Sequence, residues 1–196
     1  MDILSNLTYE SCKDFVIQID EIKAGWMDIT ISTKDKNFNY SASYLTDPLN
    51  DLLDATILLL TNQPFHIRGG WFLKDNAIVV HDLEGDIIVW LLNYSNNILT
   101  VLIWENINTD LLEDLCSYNF DIETYKKNEF EDVPDLTKNL IFALKDTPHF
   151  FTQILKDTLK NLDAKYPDEE YKGQWGFSYS DTNFKALTKW LLDNEK

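Results

Sequence analysis

The sequence predicts an α+β fold: an antiparallel sheet of about six to eight strands packed against three or more helices, in a single domain spanning residues 1–196. Three observations predict it. Short runs of alternating apolar and polar residues occur before Leu45, and four strand-like runs lie between Phe65 and Trp104. Turn chemistry separates those runs. Two cap-plus-proline pairs, Asp47-Pro48 and Thr147-Pro148, each open an apolar stripe at helical spacing.

The elements follow in order. Phe15, Ile17 and Ile19 share one strand face, and Met27, Ile29 and Ile31 share another after a turn at Ala24-Gly25. Phe38, Tyr40, Ala42 and Tyr44 alternate with Asn39, Ser41 and Ser43, a third strand with one wet face. From Asp47-Pro48 a helix runs on Leu49, Leu52, Leu53, Thr56, Leu59 and Leu60 and stops at Asn62–Pro64. Asp47, Asp51 and Asp54 fall at i, i+4 and i+7 of that helix, and the expectation is a solvated acidic face. Four strand-like runs come next: Phe65–Leu73, Ala77–His81, Asp86–Asn93 and Asn97–Trp104. The last two are apolar on both faces, as central strands covered on both sides are. A short helix near Thr109–Leu115 and a strand near Tyr118–Tyr125 are expected within the following segment. Leu136–Leu144 reads equally as helix or strand. Phe151, Ile154, Leu155, Leu159 and Leu162 mark a helix ending at Tyr166-Pro167, and a last one starts at Ser180 or Asp181 and buries Phe184, Leu187, Trp190 and Leu191.

Charge is the outlier. The chain carries 33 acidic and 17 basic residues, a formal −16, with Arg68 the only arginine. Such a surface repels phosphate backbones and anionic membranes, so neither nucleic acid nor membrane is an expected partner. The scarcity of guanidinium forks argues against nucleotide chemistry. Residues 105–135 hold ten acids against Lys126 and Lys127, a net −8, which is half the charge of the whole chain. Aromatics are interleaved there. Asp110, Glu113, Asp114, Tyr118, Phe120, Asp121, Glu123, Tyr125, Glu129, Glu131 and Asp132 together form a candidate surface for a basic protein, such as a nuclease-type toxin. Acids would steer encounter and aromatics would supply binding energy.

The motifs of catalysis are missing. His66, His81 and His149 lie far apart, so the paired-histidine metal signatures are absent. No nucleophile elbow, P-loop or dinucleotide fingerprint occurs, and the one adjacent glycine pair, Gly69-Gly70, suits a bulge or corner. No catalytic residue, metal or cofactor is therefore expected. Cys12 and Cys116 are read as reduced thiols. The N-terminus has no basic or apolar leader and no apolar run is long enough for a membrane span, so the expected location is cytoplasmic. Two other readings stay open. One is a hydrolase using two carboxylates or a metal-bound acid cluster; the other is a structural or adaptor subunit whose helix Asp47–Leu60 packs in an oligomer, since oligomeric state is not fixed by the sequence.

Three stretches carry a resemblance: YSASYLTDPLNDLLDATILLL (Tyr40–Leu60), DLEGDIIVW (Asp82–Trp90) and YKGQW (Tyr171–Trp175). They resemble a set of small uncharacterised bacterial proteins with a Tyr-Leu-x-Asp-Pro-Leu helix start, a Glu-Pro-Gly turn before a strand and a late Tyr-x3-Trp pair. Here the turn is Glu84-Gly85 without the proline, and no Phe-Pro follows the late pair. In size, acidity and lack of catalytic motif the chain also resembles immunity proteins of bacterial toxin systems. That likeness implies a binding role and carries no residues across.

Overall fold

The computed structural model describes residues 7–61, 70–73, 75–107, 137–176 and 181–194. The secondary structure is α+β, but the strands form two antiparallel sheets instead of one sheet of six to eight. The first sheet has three strands in sequential order, β1 (Val16–Lys23), β2 (Trp26–Ser32) and β3 (Asn37–Ser43). The second has five: β4 (Gly70–Leu73), β5 (Asn76–Asp82), β6 (Ile87–Ser95), β7 (Ile98–Glu105) and β8 (Leu140–Asp146), also in sequential order. The chain crosses between them through α1 (Pro48–Thr61). That crossing has a physical cause: a helix interrupts the strand pattern after Tyr44, so the fourth strand cannot pair with the third by a tight hairpin.

Local chemistry sets the hairpins. Ala24 and Gly25 both lie in the left-handed region (φ 50° and 83°), as do Asn96 and Asn97 (φ 52° and 62°). These two-residue turns have the primed geometry that matches strand twist, which is why Gly and Asn occupy them. A Cβ at Gly25 would also stand 3.0 Å from the Tyr44 ring. Leu136–Leu144 resolves as strand from Leu140 onward: Phe142, Ala143 and Leu144 pair with β7 and are buried, and Ile141, also buried, falls at a shift in the register.

The five-stranded sheet is buried on both faces. One face carries Val79, Ile88, Trp90, Leu92, Val101, Ile103 and Phe142 into a core shared with Phe15, Ile17, Met27, Ile29 and Ile31 of the first sheet and its approach, and with the helices. The other carries Ile78, Val89, Leu91, Leu102 and Trp104, against which Leu7, Tyr9 and Ile107 pack. Double-sided burial is what the continuous apolar runs of β6 and β7 require. Each large apolar side chain buried there contributes roughly 1.5–3 kcal/mol.

α1 packs on β5 and β6, and also on α4 (Asp181–Asp193). α2 (Pro148–Lys165) packs on β1 and α4. One more helix, α3 (Asp168–Trp175), was not among the sequence expectations: the proline at 167 ends α2 and at the same time starts α3, which closes on the left-handed Gly176 (φ 91°). In α4, Leu187 and Leu191 are buried while Phe184 and Trp190 are half-buried. No helix among the described residues is long and apolar enough to cross a membrane.

Candidate functional site

The acid-rich segment lies in the chain between β7 and β8, which are neighbours in the sheet. Two asparagines close that stem. Asn106 and Asn139 are both left-handed (φ 48° and 61°), a conformation their short polar side chains tolerate. The Asn106 backbone N–H donates to the Ile87 carbonyl at 2.9 Å, and its Oδ1 accepts from the Ile87 N–H at 3.0 Å. Asn139 donates from Nδ2 to the Asn106 carbonyl at 3.0 Å, while its own carbonyl accepts from the Glu105 N–H at 3.1 Å. Glu105 is exposed at the mouth of this stem. Both ends of the segment are thus fixed to the end of a buried sheet. Of the sequence-predicted binding residues, Asp110, Glu113, Asp114, Tyr118, Phe120, Asp121, Glu123, Tyr125, Glu129, Glu131 and Asp132 lie outside the described residues. So do the expected helix near Thr109 and the strand near Tyr118, as well as Cys116, His66 and Arg68.

Several lysines are seated on aromatic rings of the same chain. Lys13 lies 4.8 Å from the Phe150 ring centre and Lys36 5.2 Å from that of Phe142. Lys145 and Lys165 lie 5.4 Å from Tyr9 and Tyr166. Lys36 and Lys165 also donate to the Ile141 and Asp20 carbonyls. Such contacts contribute about 0.5–1 kcal/mol each at exposed positions, and they hold cations to the body of the protein.

The expected solvated face Asp47–Asp51–Asp54 is overturned. Asp47 and Asp51 are buried (6% and 2% exposed) and Asp54 is half-buried. The reason is that α1 is covered on nearly every side, so the turn holding its acids faces other helices. One Asp47 carboxylate oxygen accepts from the Trp175 indole N–H at 3.3 Å and the other from Asn50 Nδ2 at 2.7 Å. Asp51 Oδ2 accepts from the Asp47 backbone N–H at 3.3 Å, which satisfies an orphan donor at the helix start. Asn183 of α4 donates to Asp54. Burial, with the Asp47 charge added, pushes the Asp54 carboxyl up to about 6. Carboxylates set this way fasten α3 and α4 to the start of α1. No group of three or more His, Cys, Asp or Glu side chains among the described residues is placed to hold a metal.

A second buried polar pair was not foreseen. His81, on β5, has no exposed surface and stacks between Tyr40 (ring centres 5.8 Å apart) and Trp90 (5.7 Å). Its Nδ1 shares a 2.8 Å hydrogen bond with the Tyr40 hydroxyl. Burial drives the imidazole down to about 3, and the Pro48 backbone works the other way. Burial raises the Tyr40 phenol, and the neighbouring Trp90 indole works the other way. The sequence placed His81 at the end of an apolar strand run, and that pattern gives no hint of the Tyr40 partner. Cys12 is buried and unbridged, its thiol pushed up to about 12 by burial and then by Asp146. An inert thiol follows from that. His149 sits in the first turn of α2, edge-on to Phe150.

Compared with protein-family models, with curated proteins and with solved structures, the chain matches none.

Proposed function

We propose that the chain is a non-enzymatic acidic binding protein of the immunity type, which neutralises a basic protein, such as a nuclease-type toxin, by holding it through residues 105–135. The observation that carries this reading is the insertion of a net −8, aromatic-bearing segment between two strands that are neighbours in the sheet. Antiparallel neighbours need only a two-residue connection, and long connections in compact folds are generally functional. The asparagine-closed stem supports the reading because fixing both ends of a binding segment lowers the ordering cost of association.

The test is capture of cationic proteins, nuclease toxins among them, by the immobilised chain at low and high salt, beside neutral and acidic controls. Steering acts over a Debye length of ~8 Å at physiological salt, so association should slow as salt rises. A variant with Asp110, Glu113, Asp114, Glu129, Glu131 and Asp132 changed to their amides should lose binding while melting like the parent. Retention of neutral or acidic proteins only, or equal binding by the amide variant, sinks the proposal.

A further inference from the structure

The long strand edges differ in how they are guarded. On β1 the outer edge is sealed by side chains of α2 and of Tyr166 just after it: Thr158 donates to the Ile17 carbonyl at 2.9 Å, Lys165 to that of Asp20, and the Ile22 N–H donates to Tyr166 Oη at 3.1 Å. A bulge between Ile19 and Glu21 lets residues of both parities face outward there. The outer edge of β8 is bridged by Glu10, whose N–H donates to the Ala143 carbonyl and whose carbonyl accepts from the Lys145 N–H. Among the described residues, β3 has neither device.

The register fixes which β3 groups are free. Thr33 N–H donates to the Lys36 carbonyl at the turn, and Tyr44 N–H to the Gly25 carbonyl at the far end, each at 2.8 Å. Between these hydrogen-bonded pairs the ladder alternates, so Phe38, Tyr40 and Ala42 bond to β2. Asn37, Asn39 and Ser41 therefore turn their N–H and C=O groups away from it, and all three residues are exposed. The strand NFNYSAS holds no charge, proline or bulge, the usual guards of an open edge.

We infer that the β3 edge is a homodimer interface, pairing antiparallel with β3 of a second copy about a twofold axis at Asn39. That register sets Asn37 against the partner copy's position 41, and Asn39 against its own equivalent, so the outward backbone groups of Asn37, Asn39 and Ser41 all find partners. Two chains of charge −16 meet along an uncharged strip.

The experiment is sedimentation of the full chain over a concentration series, with amide hydrogen exchange at both ends of it. The wild type should pass from its 22.9 kDa monomer mass to twice that. Exchange should slow with concentration at Asn37, Asn39 and Ser41 but not at Phe38 or Tyr40. Asn37→Pro removes an outward N–H at the first strand position, where proline is tolerated, and Asn39→Lys places like charges on the axis. Both variants should stay monomeric with circular dichroism spectra like the parent's, while Gln18→Lys on β1 should still dimerise. A wild type that remains monomeric throughout, or a dimer indifferent to both β3 substitutions, overturns the inference.

Discussion

Tyr40 and His81 join the two sheets by a 2.8 Å hydrogen bond between two buried side chains. β3 supplies the phenol and β5 the imidazole, so the bond exists only when the sheets are docked. Removing one partner should cost more than removing both. Tyr40→Phe leaves a buried ring nitrogen unpaired and should destabilise by about 1–3 kcal/mol in urea unfolding. The double variant Tyr40→Phe/His81→Phe keeps the shape without the polar atoms and should recover most of that loss.

The same imidazole should make the fold acid-sensitive. Its native value is about 3 against an ordinary 6.5, so between those two values the unfolded chain binds the extra proton and the folded one does not. Stability from this group is complete above 6.5 and is lost progressively as the pH falls toward 3. A tenfold difference in proton affinity between the two states is worth about 1.4 kcal/mol, so the loss amounts to several kcal/mol over the window. Urea midpoints across that range should fall with pH in the parent and fall less steeply in the double variant.

Asp54 should act in the opposite direction. Its folded value is raised to about 6 from 3.8, so ionising it in the native state costs stability above about 6, and the cost disappears as the pH drops to 3.8. Because the group is half-buried, solvent screening reduces the effect to on the order of 1 kcal/mol. Asp54→Asn can still accept from Asn183 through its amide oxygen. It should raise the melting temperature by roughly 2–4 °C at neutral pH and leave it unchanged below pH 3.8.

Burial of Asp47 makes Trp175 more than an apolar filler. Trp175→Phe removes the indole N–H that reaches the carboxylate, and with it the tie between α3 and the start of α1. The expected cost is about 1–3 kcal/mol for a buried acceptor left short of a donor. Phe substituted instead at Trp90, whose indole N–H has no full hydrogen bond, should cost only the lost ring volume. Comparing the two variants by denaturation separates the polar contribution from packing.

What was legible in the sequence follows from what periodicity reports. Alternation at Met27, Ile29 and Ile31 and the leucine stripe after Pro48 are set by one buried face each, so those elements were readable, whereas the short helix after Pro167 was missed and the strand Leu140–Asp146 lay in a stretch that reads equally as helix or strand. The division into two sheets was not, because alternation gives a strand's inward face and says nothing of its neighbours. The acids of α1 misled for a related reason: a helix with one charged stripe looks amphipathic until a second helix covers that stripe. Asn183 and Trp175, which make that burial tolerable, lie more than a hundred residues away from Asp47 in the chain. The acidic segment was visible by composition alone, whereas its closed stem depends on Asn106 and Asn139, two ordinary residues whose left-handed backbones no pattern announces.

Those asparagines give the last prediction. Asn106 does two things at once: it holds a left-handed φ of 48°, and its Oδ1 accepts the Ile87 N–H. Asn106→Gly keeps the backbone conformation and loses the acceptor; Asn106→Ala loses both. The alanine should therefore be the less stable of the two by about 1 kcal/mol, the order of the left-handed penalty for a Cβ. Both should loosen the stem, so hydrogen exchange should quicken at Glu105, whose N–H bonds to Asn139 across it. If the stem presents the acidic segment, both variants should also bind a cationic partner more weakly than the parent, through faster dissociation and with the salt dependence of association unchanged. Equal stability of the two variants would show that Asn106 is there for its side-chain acceptor alone.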